Sequence, residues 1–245
     1  VKNVLTIAGF DPSGWAGVSA DLKTFAELGV DGAGAITALT AQNRQRVTAV
    51  EPVSPKFIRK EITTLLETTR FGAVKIGMLG SGEVAAMLLR LFKKKEFENV
   101  VLDPVLRATS GPRLLDAGGL LGIKRLLPMV RVVTPNIDEA EALSGIKITG
   151  IADMERAAEK IHALGAKTVL VTGGHLAGAP VDVLYERKGV THFKGVRLRG
   201  RPERFHGTGC ILSSALAAHL ARGQSVKSAT KAARKYLIET IRARR

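Results

Sequence analysis

The sequence predicts an α/β fold in which a mostly parallel central sheet is covered by helices on both faces and carries an antiparallel hairpin at one edge. Three observations predict it. Short β-rich runs alternate with amphipathic segments along nearly the whole chain. No Pro/Gly/Ser-rich linker, low-complexity stretch or internal repeat interrupts the 245 residues, so a single domain over 1–245 is the economical organisation. Late in the chain, Arg187, Lys188 and Gly189 separate two β-rich runs and read as a hairpin turn.

Taken in order, residues 4–8 read as a first strand and 9–17 as a glycine-bearing loop. Leu22, Phe25, Ala26 and Gly29 recur at spacings of three and four, which predicts a helix over 18–28. A strand over 35–40 follows. Phe57, Ile58, Ile62, Leu65 and Leu66 mark one side of a helix over 55–66. Strands at 74–76 and 100–102 are separated by a helix over 83–92. A helix over 113–127 stops at Pro128, then come a strand over 131–133 and a helix over 136–143. Asp153 is placed as the cap of a helix ending near Gly165. A strand over 168–171, the hairpin strands 181–185 and 190–193, and helices over 210–221 and 226–242 complete the chain.

Composition narrows the function classes. Apolar residues make up 45% and aromatic residues 4%, the balance of a folded globular protein. No run of about 18 apolar residues occurs, so no membrane span is expected. No basic stretch followed by an apolar one opens the chain, and the single cysteine, Cys210, suits a reducing compartment; a cytoplasmic location is the expectation. Lys and Arg outnumber Asp and Glu by 37 to 22, a formal charge of +15. The basic residues are spread along the chain, Lys93–Lys95 being the longest run, and two tyrosines and one tryptophan offer little for base stacking. The reading is therefore a basic solvated surface suited to anionic small molecules, with no nucleic-acid and no membrane partner. The last 24 residues hold eight Lys/Arg and read as the polar face of a terminal helix.

In open α/β sheets ligands bind at the carboxyl ends of strands, so the loops there carry the chemistry. Neither the P-loop nor the dinucleotide-binding glycine pattern is present. Instead, Gly207, Thr208, Gly209 and Cys210 lie directly before a strongly helical run. Two glycines let backbone N–H groups converge, and the helix start adds partial positive charge, so this turn can hold a phosphate or be a simple tight connection. Cys210 at the helix start is expected to have a lowered pKa and could take a proton from a substrate hydroxyl; a buried structural thiol is the other reading. Asp103, after the strand at 100–102, could bind Mg²⁺ through water. Asn136 and Glu139 lie one helical turn apart with oxygens suited to hydrated Mg²⁺, while a plain helix cap explains Asn136 equally well. Thr172, Gly174 and His175 sit in a turn that could pass close to a nucleotide. Gly9 and Asp11 could reach a small ligand, Asp21 could be an acid at the core edge, the Gln42 amide suits a heterocycle edge, and Met78 puts a flexible thioether at a strand end.

In chain order these segments read I-A-G-x-D-P-S-G-x-A-G, A-D-L-K-T-F, I-T-A-L-x-A-Q-N, K-I-G-M-L, L-D-P-V, T-P-N-x-x-E-A, G-G-H-L and H-G-T-G-C. Together, over about residues 4–221, they resemble the hydroxymethylpyrimidine/phosphomethylpyrimidine kinases of thiamine biosynthesis, in the ribokinase-like superfamily. The resemblance implies a three-layer α/β/α fold, usually a homodimer. It also implies ATP- and Mg²⁺-dependent phosphorylation of 4-amino-5-hydroxymethyl-2-methylpyrimidine and then of its monophosphate. On this resemblance Cys210 matches the base, and Gly207, Thr208 and Gly209 match the anion hole. Gly9, Gln42, Met78 and Val105 match the pyrimidine pocket. Asp103, Asn136 and Glu139 match the region that organises Mg²⁺ and phosphates.

Three positions depart from the family pattern. Gly14 and Trp15 stand where two glycines are common, and the indole could narrow the pocket mouth or lie on the surface. Thr172 stands where many members carry Lys, a loss that Arg107 or His206 could offset. A glycine-rich tail usually follows the last helix, and these 245 residues do not include one. Pyridoxal kinase, on the same fold, and a non-catalytic pyrimidine-binding protein are the alternatives.

Overall fold

The computed structural model describes residues 2–95, 97–107, 116, 118–174, 176 and 178–244. Strands β1 (Asn3–Phe10), β2 (Asp31–Gln42), β3 (Val47–Pro52), β4 (Ala73–Ile76), β5 (Val100–Leu102), β6 (Val132–Val133), β7 (Thr168–Val171), β8 (Val181–Glu186) and β9 (Gly189–Lys194) form one sheet in the order β3-β2-β1-β4-β5-β6-β7-β8-β9. The run from β2 to β7 is parallel. Central strands such as Ala73–Ile76 are buried along their whole length, as a sheet covered on both faces requires.

Helices α1 (Gly17–Glu27), α2 (Pro55–Thr68), α3 (Gly82–Lys94), α4 (Gly119–Leu126), α5 (Ile137–Ser144), α6 (Ile151–Ala163), α7 (Thr208–Ala221) and α8 (Val226–Ala243) make the outer layers. One apolar cluster joins Ile58 and Ile62 of α2 to buried faces of α3 through α6. The other joins Phe25 of α1 to α7 and to Val226, Ala229 and Ala233 of α8. Ser54, Ser81 and Ser225 each accept the third following N–H, which starts α2, α3 and α8 where the apolar periodicity begins. α7 is buried almost all round, because α1 and α8 flank it and β4, β5 and β1 lie over it. No described helix is long and apolar enough to cross a membrane.

Several expectations change. Both sheet edges are antiparallel: β8 and β9 form the expected hairpin, while β3, absent from the sequence reading, pairs back on β2. β3 is exposed or half-exposed throughout, so it lacks the apolar run that marks a strand. Phe57 is 56% exposed and does not share the buried side of α2 with Ile58 and Ile62. Asp153 is not the cap of α6. Gly150 holds that position, and Asp153, three residues on, accepts from the Thr149 N–H and hydroxyl at 2.8 and 2.7 Å. The helix expected over 113–127 is described from Gly119 and turns into a 3₁₀ segment at Leu127–Met129; 113–115 and 117 lie outside the described residues.

The two sides of α2 should differ sharply in chemical denaturation. Ile62→Ala, which empties a fully buried site, should cost roughly 2–5 kcal/mol. Phe57→Ala should stay within about 0.5 kcal/mol of the parent.

Candidate active site

The strand order reverses beside β1, which pairs with β2 on one side and β4 on the other. A cavity of about 600 Å³ opens there across the carboxyl ends of the parallel strands. Gly9, Asp11, Gln42, Met78, Asp103, Val105, Asn136, Glu139, Thr172, Gly174, Gly207, Thr208, Gly209 and Cys210, singled out from the sequence, all line it. So do Arg107 and His206, named from the sequence as residues that could offset Thr172, and Lys75 and Arg234, whose parts in it the sequence reading did not assign.

The floor is an ion pair. Lys75 and Asp21 both have side chains with no solvent exposure, and Lys75 Nζ donates to Asp21 Oδ1 and Oδ2 at 3.0 and 2.8 Å. Thr6 and Ser214 hydroxyls add donors to the same carboxylate at 2.5 and 2.6 Å. Asp21 therefore lies inside the molecule and not at the core edge. Burial alone would pull the Lys75 ammonium down, but Asp21, with Cys210 and Asp103 beyond it, holds it above the usual lysine range. A lysine inside the four-residue apolar strand β4 and an aspartate on the buried face of α1 were the available sequence signals.

Above this pair stands the turn into α7. Gly207 has φ +71°, and a Cβ there would lie 1.9 Å from the Trp15 carbonyl oxygen, so only glycine passes. Thr208 Oγ1 donates to the Phe205 carbonyl at 3.0 Å, closing the turn. Cys210 stands among Gly17, Asp103 and Lys75, each of which acts on its thiol. The expected lowering of its pKa is not found. Burial pushes the thiol up to about 12, Asp103 and Asp21 add to this, and Lys75 and the Gly17 N–H only partly oppose it. The helix terminus is outweighed by two carboxylates in a dry site. Asp103 is itself raised by burial, against the pull of Lys75 and a hydrogen bond from Ser213 Oγ at 3.1 Å.

Asn136 and Glu139 form a closed capping box. The Asn136 side chain accepts the Glu139 N–H at 3.0 Å, and Glu139 Oε2 accepts the Asn136 N–H at 2.9 Å. Burial and the nearby Asp103 push the Glu139 carboxyl up to about 8. Thr172 pairs with Asn136 in an isolated bridge, and Arg197 donates to the carbonyls of Gly174, Leu176 and Gly178, fixing the next turn; His175 lies outside the described residues. Asp182 accepts from the Gly173 N–H and from Arg234 Nε at 2.9 and 2.7 Å. The α8 basic face is thus partly turned inward.

At the opposite end, Gln42 Nε2 donates to His206 Nε2 at 2.9 Å, and that ring nitrogen stands 3.7 Å from Asp11 Oδ2. Burial pushes the Asp11 carboxyl up, yet His206 and the Ser13 and Ala16 donors outweigh it and hold it below the usual range. Met78 offers its Sδ 2.9 Å from where a Gly9 Cβ would stand, and its carbonyl accepts Thr37 Oγ1 at 2.6 Å. Trp15 is not among the residues that line the cavity, and Arg44 and Arg244 both lie over its ring.

Among the described residues no three His, Cys, Asp or Glu side chains gather closely enough to cage a metal ion. Asp103 and Glu139 are the carboxylates that line the cavity beside the α7 turn and α5. That donor set fits Mg²⁺ that keeps waters and shares phosphate oxygens, and does not fit a protein-only site.

Lys75→Met should cost roughly 3–5 kcal/mol in denaturant unfolding, because it strands Asp21 in the interior. Adding Asp21→Asn, which can still accept from Thr6 and Ser214, should recover most of that loss. Glu139 binds its proton more tightly folded than unfolded, so its contribution is complete below pH 4.5 and is lost as pH rises towards 8. Glu139→Gln, measured in chelator, should therefore match the parent at pH 4 and exceed it by on the order of 2 kcal/mol at pH 7.

The similarities to known proteins agree with this arrangement. A family profile described as phosphomethylpyrimidine kinase matches residues 11–245. A hydroxymethylpyrimidine/phosphomethylpyrimidine kinase of Aquifex aeolicus is 41% identical over 240 residues, covering 97% of this chain and 93% of the relative. The solved phosphomethylpyrimidine kinase of Clostridium difficile has a TM-score of 0.88 at 41% identity, covering 98% of this chain and 100% of that one. The pyridoxal kinase of Staphylococcus aureus, solved with AMP-PCP and pyridoxal, has a TM-score of 0.87 at 34% identity, covering 97% and 87%. With its three layers, its switch-point cavity and this likeness along nearly its whole length, the chain belongs to the phosphomethylpyrimidine kinase family of the ribokinase-like fold.

Proposed function

We propose that this protein, acting as a single kinase domain, transfers the γ-phosphoryl group of ATP to 4-amino-5-hydroxymethyl-2-methylpyrimidine and then phosphorylates the monophosphate. The observation that carries this reading is one cavity with a heterocycle edge at one end and an N–H turn with a thiol at the other. Gln42, His206 and Asp11 provide donors and acceptors for the ring edge, and Gly9, Met78 and Val105 border it. The N–H groups at Gly207 to Cys210 face the same space, where they offset charge on the transferring phosphoryl group. ATP lies across the strand ends towards Asn136, Thr172 and Gly174. Asp103 and Glu139 would hold hydrated Mg²⁺, which would neutralise part of the phosphate charge.

Cys210 takes the proton of the attacking hydroxyl. A thiol titrating at about 12 is protonated at neutrality, so it can accept that proton only as it gives up its own. Asp103, a neighbouring carboxylate with raised proton affinity, supplies the acceptor. The net movement is one proton from the substrate oxygen to Sγ and one from Sγ to Asp103, while the oxygen bonds phosphorus and ADP leaves.

The likeness to a pyridoxal kinase favours a second reading, phosphorylation of pyridoxal, because both rings carry a hydroxymethyl group. We also propose a cytoplasmic homodimer. The one unpaired cysteine supports the compartment, and exposed Phe10, Leu39 and Phe57 supply apolar surface for a second copy.

Mass-resolved assays with ATP and Mg²⁺ test the reading. The pyrimidine should yield the mono- and then the diphosphate, and product from pyridoxal alone would move the assignment to that ring. Cys210→Ala should lower turnover by roughly 10²–10⁴-fold with ATP affinity retained; unchanged turnover would remove the thiol from the chemistry.

A further inference from the structure

Trp15 is the chain's one tryptophan, and two guanidinium groups lie over its ring. Arg44 Cζ lies 4.3 Å from the ring centroid and Arg244 Cζ 4.2 Å. The negative π-face of an indole attracts both cations and offsets part of their mutual repulsion. The three residues come from three different segments. Trp15 belongs to the loop between β1 and α1, Arg44 to the turn between β2 and β3, and Arg244 follows α8.

Each segment also supplies a cavity wall. The Trp15 loop contains Asp11, whose Oδ2 accepts the Ala16 N–H at 2.9 Å, so the indole and the carboxylate belong to one closed turn. Arg44 is two residues beyond Gln42. Arg244 donates to the His206 carbonyl at 2.7 Å and to the Arg204 carbonyl at 3.2 Å. Arg204 in turn donates to the Ile241 and Arg242 carbonyls at 2.8 and 3.1 Å. The stack therefore ties together the backbones that carry Asp11, Gln42 and His206. Trp15 itself is not among the cavity-lining residues, so its effect on a ligand passes through these three.

We propose that Trp15, clamped by Arg44 and Arg244, is a positioning residue that holds the Gln42, His206 and Asp11 edge in register for the heterocycle. This rests on the kinase function proposed above. The α7 turn meets Trp15 only through the Trp15 backbone carbonyl, beside Gly207, a contact that a side-chain replacement leaves in place, so loss of the indole is felt at the ring and not at ATP.

Steady-state kinetics of the full chain with the hydroxymethylpyrimidine and ATP test this. Trp15→Ala should raise KM for the pyrimidine about tenfold, with KM for ATP and kcat within about twofold of the parent. Arg44→Ala, at an exposed position that leaves the fold untouched, should give about a threefold rise in the same constant. Trp15→Phe, which keeps a cation-binding face, should bring KM for the pyrimidine back to within about threefold, and Trp15→Leu should not. Equal rises in both KM values, a loss confined to kcat, or equal rescue by Leu and Phe would overturn the positioning role. If Trp15→Ala fails to fold, the Arg44→Ala split decides. A parent that converts the pyrimidine while these variants keep its KM overturns this inference alone. A parent that neither binds nor converts the pyrimidine removes the proposed function as well.

Discussion

A single buried ion pair organises this molecule. Lys75 and Asp21 bring β4 and α1 together, and through Thr6 and Ser214 they also hold β1 and α7. Four elements that meet only after folding thus share one set of charge-assisted hydrogen bonds. A pair with no solvent exposure is a poor source of net stability, because desolvation consumes most of its attraction. Its value lies in uniqueness: no other register of α7 leaves Ser214 beside Asp21. The same pair sets the field of the site, since its cation lies beneath the thiol of Cys210 and the carboxylate of Asp103.

That field explains why proton affinities here run opposite to a simple helix-terminus argument. Cys210, Asp103 and Glu139 all hold protons more tightly than usual because they are buried and share negative neighbours. A cluster of that kind suits a polyanionic ligand with accompanying cations, since it does not add full negative charge to the phosphates before they arrive. At Asn136 and Glu139 a helix cap and a cavity wall coincide: the box that starts α5 also fixes the direction of two cavity-lining side chains.

Much of the fold was legible because its periodicities are strong. The strands Val100–Leu102 and Thr168–Val171 coincide with their apolar runs, and α2, α3 and α8 begin at serine caps. The illegible parts lack such marks. β3 has no buried face, so its strand character comes from pairing with β2 and not from its own composition. Phe57 follows the helical spacing of α2 yet points outward, because a five-residue apolar set is wider than the buried stripe. In the site, glycines and loop polar residues were visible as motifs. The pairings of Lys75 with Asp21 and of Arg234 with Asp182 were not, since a charge inside an apolar run or on a basic helix shows its role only when its partner, 54 or 52 residues away, is in contact.

α7 has almost no solvent-facing side, so its first turn is anchored by the packing of the whole helix. The side of the cavity at the α7 turn is therefore stiff, while the side at Asp11, Gln42 and His206 is assembled from loop and turn residues. This asymmetry separates two kinds of heritable change. On the function proposed above, replacements around residues 11–17, 42–46 and 201–206 would redraw which ring is admitted without disturbing α7. An ancestral chain of this shape could diversify its diet of heterocycles by editing its rim, keeping one reaction while exchanging substrates.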